Sequence, residues 1–122
     1  MRRAAGLLVM VTILAACVPD DRPSSCDAPS VTIELALTAE SMTPSNPGVC
    51  RDQQVTLVVA SELDGFIHIH GYDEAVGVTE VTAGEETRLE FVAGRSGQFP
   101  IEVHPADDPQ GIGVGIFTVY EP

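Results

Sequence analysis

From Val31 the chain alternates: Val31, Ile33, Leu35 and Leu37 fall on one side, Thr32, Glu34 and Ala36 on the other. Residues two apart on a strand share a face, so this stretch predicts a strand with one buried side. A long turn region follows from Glu40 to Asp52, marked by Pro44, Asn46-Pro47-Gly48 and Cys50. Gln54 to Ser61 is a nearly continuous apolar strand. Asp64-Gly65 is a tight-turn signal, and Phe66 to Tyr72 reads as the next strand. Ala75 to Val81 is a short strand or an irregular stretch. In Thr87 to Val92, Leu89 and Phe91 alternate with Arg88 and Glu90. Gly94 to Gly97 turns, Phe99 to His104 is a strand, Pro105 to Gly113 a loop, and Gly115 to Tyr120 the last strand. No segment has a helix-length amphipathic period. Six or seven short strands with turns between them predict an all-β, antiparallel sandwich over residues 30–122.

Ahead of this pattern lies a different kind of segment. Arg2 and Arg3 precede an apolar run of 13 residues, Ala4 to Ala16. A membrane-spanning helix needs roughly 20, so residues 1–16 read as a secretory signal. Leu14-Ala15-Ala16-Cys17 resembles the lipobox of bacterial lipoproteins. That resemblance implies cleavage before Cys17 and lipidation of its thiol. An ordinary signal peptide with a chance cysteine is the competing reading. Residues 17–29 are polar and proline-bearing and read as a flexible tether. The expectation is a domain in the cell envelope, lipid-anchored on the extracytoplasmic side of a bacterial membrane.

Length and charge narrow the picture. A chain of 122 residues holds one small domain. Its formal charge is −12, but both leader arginines fall outside the mature chain. Four Arg and no Lys then face 18 acidic residues, giving −14. Such a domain repels nucleic acid and anionic lipid surfaces. It admits cations or a basic protein partner, although a merely solvated surface has the same composition. An oxidising compartment permits a disulfide between Cys26 and Cys50. It closes a 25-residue loop, worth about 3 kcal/mol by chain entropy. A thiolate metal ligand is the alternative use, and it requires a Cys close to the histidines.

The three histidines supply the candidate chemistry. His68 and His70 share a strand face, about 7 Å apart along the strand. Ile67 and Ile69 take the other face. On the later strand Phe99, Ile101 and Val103 alternate with Pro100, Glu102 and His104. If the two strands are neighbours, three imidazoles meet. Three imidazoles with a carboxylate or water suit Cu(II) or Zn(II). Asp73, Glu102, Asp107 and Asp108 are the oxygen donors nearest in sequence. Hydrogen-bonded surface histidines, or a pH-responsive patch, are the competing readings. Catalysis is not expected. Ser61 and Ser96 are the nearest serines and neither sits in a nucleophile elbow. Gly111 to Gly115 introduces a strand rather than the helix a phosphate loop needs. Glu85 and Glu86 form a turn pair.

The order of signals resembles the cupredoxin-like domain. Ile67-His68-Ile69-His70-Gly71-Tyr72-Asp73 comes first, then Val81 to Glu85, Leu89 to Phe91 and Gly97-Gln98-Phe99. Val103-His104 and Gly115 to Val119 complete the match. It runs over roughly residues 53–121. The resemblance implies a Greek-key β-sandwich of about seven strands with a metal at one end. His-x-His is also similar to copper-binding strands of multicopper oxidases, which need many more histidines. Blue-copper members carry a Cys where Val103-His104 stands here, and the following loop has no Cys, His or Met. A blue site needs that thiolate. The resemblance therefore implies a module binding a transition metal, copper, through His68, His70 and His104, without blue-copper electron transfer. The alternative is a metal-free sandwich serving as a protein-interaction or structural component of the envelope.

Overall fold

The computed structural model describes residues 22–122 except Pro109. The described residues form nine strands in two sheets: β1 (Ser30–Leu37), β2 (Met42–Thr43), β3 (Gly48–Cys50), β4 (Gln54–Ser61), β5 (Gly65–Ile69), β6 (Thr79–Val81), β7 (Glu86–Val92), β8 (Gly97–Pro105) and β9 (Ile112–Tyr120). One sheet has the order β2-β1-β4-β7, the other β3-β9-β8-β5-β6. The expected all-β sandwich is present. Its count exceeds about seven because β2 and β3 lie inside the Glu40 to Asp52 turn region. Both are too short to show a period of two.

Those two short strands also explain why the sandwich is not wholly antiparallel. The chain leaves β1 at Leu37 and adds β2 to its edge. It crosses to the other sheet as β3 and returns to the start of β1. There the Gln54 amide donates to the Pro29 carbonyl at 3.0 Å. β4 therefore runs parallel to β1, from Ser30↔Gln54 to Leu37↔Ser61. β3 is likewise parallel to β9. The pairings β4–β7, β5–β6, β5–β8 and β8–β9 are antiparallel.

Leu35, Leu37, Val55, Leu57, Val59, Leu89 and Phe91 fill the inner face of the first sheet. Ile67, Ile69, Ile101, Val103, Phe117 and Val119 fill that of the second. These are the apolar positions of the alternating stretches, and each buried aliphatic side chain contributes about 1.5–3 kcal/mol. Tyr72 joins them with the edge-on aromatic neighbours Phe91, Phe99 and Phe117, at centroid distances of 5.6, 4.5 and 5.5 Å.

The segment before β1 docks onto the sandwich. Ser24–Asp27 forms a 3₁₀ turn, and Cys26 is disulfide-bonded to Cys50 across a Cα–Cα distance of 5.4 Å. Buried Gln53 ties this turn down. Its Nε2 donates to the carbonyls of Ser25 (2.7 Å) and Ala28 (2.9 Å), and its Oε1 accepts from the Cys50 amide (2.8 Å). The leader read over residues 1–16, the lipidation residue Cys17 and the start of the tether lie outside the described residues. Among the described residues no helix is long and apolar enough to cross a membrane.

Candidate metal centre

β5 and β8 carry the site on their solvent-facing side. Burial alternates along β5, with Ile67 and Ile69 buried and Phe66 and His68 turned outward. On β8, buried Ile101 and Val103 alternate with Glu102 and His104. The antiparallel register places Phe66 opposite His104 and His68 opposite Glu102. The His70 amide donates to the Pro100 carbonyl at 2.9 Å, which extends the ladder one rung past β5. Side chains directly opposite on one face have Cβ atoms roughly 5 Å apart, close enough to share an ion.

The ligand atoms of His68, His70 and Glu102 all lie within 4.8 Å of one another. The rings of His68 and His70 are 4.3 Å apart between centroids. Glu102 Oε2 is the common neighbour. It lies 2.8 Å from His70 Nε2 and 3.6 Å from His104 Nε2. The sequence expectation grouped His68, His70 and His104. In the fold Glu102 completes the tight group, and His104 falls outside it while still 3.6 Å from that carboxylate. The reason is register: His104 faces Phe66, one rung of the outer face away from His68. The site also lies on the outer face of a sheet, beside the end of β5, rather than between the sheets.

The next turn brings a further acid to the site. Gly71 sits in the left-handed region, at φ 88°, and reverses the chain. Tyr72 then plunges into the core. Its hydroxyl donates to the Arg95 carbonyl (2.5 Å) and accepts from the Arg95 amide (3.1 Å). Burial raises the Tyr72 hydroxyl pKa above its ordinary value. With Tyr72 anchored, Asp73 returns to the outer face, where its Oδ1 accepts a hydrogen bond from His68 Nε2. That bond, more than any other influence, holds the Asp73 carboxyl below its usual range. Glu102 is lowered too. His70 beside it is the main cause, burial opposes it, and the charges of His70, His104 and His68 add to the lowering.

The loop between β8 and β9 folds back over the group. A Cβ on Gly111 would stand 2.6 Å from His104 Cε1 and 2.9 Å from Glu102 Oε2. A side chain there would force the His104 ring and the Glu102 carboxylate to shift. Asp107 and Asp108, the other loop acids, are not in the group. Asp108 Oδ1 instead accepts from the Gln110 amide at 3.0 Å.

The residues present fit a borderline transition metal. Two imidazoles and a carboxylate, with a third imidazole behind, match the donor preference of Cu(II) and Zn(II). The His70 side chain is 45% exposed, yet its Nε2 is buried and makes no properly aligned hydrogen bond. The nearby Glu102 oxygen lies off the donor direction. A buried polar atom left so costs about 1–3 kcal/mol, a cost that a metal bond at that nitrogen would remove.

No protein-family model and no curated protein matches the chain. Solved structures do resemble it. A multicopper oxidase from Pseudomonas thermotolerans superposes with a TM-score of 0.57 at 17% identity, over 75% of this chain and 30% of the oxidase. A blue copper oxidase from Nitrosomonas europaea gives 0.59 at 14% identity, over 75% and 39%. The chain thus spans about a third of the length of these oxidases. Reduced auracyanin from the photosynthetic bacterium Roseiflexus castenholzii gives 0.54 at 18% identity, over 72% of this chain and 95% of auracyanin. At these identities the likeness concerns the fold, and the fold is a cupredoxin-like β-sandwich.

Proposed function

We propose that this chain is a lipid-anchored, extracytoplasmic metal-binding module. It holds copper through His68, His70 and Glu102, with His104 as a neighbouring fourth donor. The observation that carries the reading is the convergence of three ligand atoms within 4.8 Å, together with a buried His70 Nε2 that makes no aligned hydrogen bond. The copper oxidases that share the fold support copper over zinc.

The role is binding, for storage or delivery, rather than blue-copper electron transfer. Cys26 and Cys50 are consumed in a disulfide, so neither offers the thiolate such a site requires. Cys17 is assigned to the lipid by the Leu14 to Cys17 pattern. Lipidation with more than one acyl chain anchors stably, where a single chain is marginal.

Titration of the mature domain with Cu(II), against a competing chelator, tests the reading. One equivalent bound tightly by the wild type and lost in the His68→Ala/His70→Ala/Glu102→Ala variant is expected. Absence of tight binding, or binding unchanged in the variant, overturns it in favour of a metal-free interaction module.

A further inference from the structure

We infer that Asp73 sets the tautomer of His68 and thereby selects the nitrogen it offers to a metal: Nδ1, while His70 offers Nε2. The inference rests on the metal-binding reading above and adds to it a positioning residue outside the ligand group. An ionised carboxylate only accepts hydrogen bonds. The Asp73 Oδ1 contact with His68 Nε2 therefore requires the proton on Nε2. In the neutral ring the lone pair is then on Nδ1, and a metal bonds only to a lone pair.

Asp73 is placed to do this without becoming a ligand itself. It is not one of the three residues whose ligand atoms gather, and its contact is with His68 Nε2. The turn that presents it is held firmly. The Tyr72 amide donates to the Ile69 carbonyl at 3.1 Å, and the Val76 amide to the Tyr72 carbonyl at 2.8 Å. The Tyr72 hydroxyl is fixed by both the amide and the carbonyl of Arg95. Arg95 also reaches back to the Gly71 carbonyl, with its guanidinium 5.8 Å from the Tyr72 ring centre. The carboxylate beside His70 is Glu102, which belongs to the group itself. His70 Nε2 lies 2.8 Å from Glu102 Oε2, inside the group, and is buried without an aligned hydrogen bond. Two histidines two positions apart thus present different nitrogens. Their rings can then converge at 4.3 Å with planes tilted by 53° instead of stacking side by side. A carboxylate behind a metal-binding imidazole fixes ring orientation and raises its basicity.

Long-range ¹H–¹⁵N spectra of the metal-free domain, above neutral pH, test the tautomer directly. The wild type is expected to carry the His68 proton on Nε2. Asp73→Asn keeps that tautomer, because its amide oxygen also accepts. Asp73→Ala loses it, and Zn(II) affinity falls about 10- to 100-fold, with most of the loss restored in Asp73→Asn. On adding Zn(II), the nitrogens that shift most are Nδ1 of His68 and Nε2 of His70. A wild-type His68 protonated on Nδ1 overturns the inference. So does an Asp73→Ala variant with tautomer and affinity unchanged. The wild-type spectrum decides the tautomer even where the alanine variant fails to fold. A wild type with the Nε2–H tautomer that binds neither Zn(II) nor Cu(II) removes the metal-binding reading, and the choice of metal-bound nitrogen falls with it.

Discussion

His68 and Glu102 face each other directly across the β5–β8 ladder, and that pairing makes Glu102 the centre of the candidate ligand group. Every other candidate donor takes its place from this rung. His70 lies one rung onward, over Pro100, and His104 one rung back, over Phe66. The carboxylate reaches both.

Ligand substitutions should therefore rank by distance from that centre. Glu102→Gln and His70→Ala are expected to weaken Cu(II) binding far more than His104→Ala. A loss well beyond about tenfold, the smaller effect of outer-shell substitutions, is expected for the first two. His104→Ala should stay at or below that figure. Competition titrations of the three single variants check the order. Equal losses at His104 and Glu102 would mean that the ion sits between β8 and the Gly111 loop instead.

The alternating stretches made both sheets legible in the sequence, because each inner-face residue repeats every second position. His68, His70 and His104 were legible as outward residues by the same count. The parallel pairing of β1 with β4 was not, since it depends on β2 and β3, each too short to carry a period. Glu102 could be read as an oxygen donor, but its central place depends on register. Register is fixed by contacts between strands more than thirty residues apart. The docking of Ser24–Asp27 was masked by polar, turn-forming residues that look like linker. Only Gln53, a buried amide with both ends satisfied, shows why that segment is held.

Gly71→Ala should destabilise the domain. Gly71 has φ 88°, which costs other residues about 1–3 kcal/mol. A Cβ there would also meet Phe99 Cδ1 at 2.8 Å. Urea unfolding is expected to show a lower midpoint with an unchanged slope. The same variant should loosen the turn that carries Asp73 and so weaken metal binding. Gly84→Ala is the control for backbone conformation alone. Its φ is 80°, but nothing lies within 4 Å of the added carbon, so its loss should be the smaller.

Opening the Cys26–Cys50 bridge should lower stability without abolishing the site. The bridge joins the 3₁₀ turn to β3, on the far edge of the sheet from β5. Chain entropy for a 25-residue loop predicts a loss of about 3 kcal/mol. Cys26→Ser/Cys50→Ser should therefore melt lower than the wild type yet bind Cu(II) with the same stoichiometry. A parallel loss of binding would show that β3 controls the geometry of β8 through β9.

Cys17→Ala should release the protein from the membrane after export. The full-length wild type is expected in the membrane fraction and resistant to salt extraction, since on the proposed reading acyl chains rather than charge would hold it. The variant should be soluble in the same compartment. Retention of the exported variant in the membrane would overturn the anchor assignment.

Stability should also depend on acid in a direction fixed by Glu121. Its carboxylate accepts from the Ser96 hydroxyl at 2.6 Å and from Arg51 Nε at 3.0 Å. These partners, the Ser96 hydroxyl first, hold it below its ordinary value of 4.5. A group depressed in the folded state adds stability that is complete above its unfolded pKa. That contribution is lost as pH falls through the lower, folded pKa. Metal-free wild type and Glu121→Gln should thus show their largest difference in melting temperature above pH 5. The two curves should converge as the pH drops below 4.5. The pair is exposed, so the difference should be small and should shrink further in high salt. A gap that widens on acidification would contradict the sign of the effect and place the stabilising interaction on the protonated carboxyl.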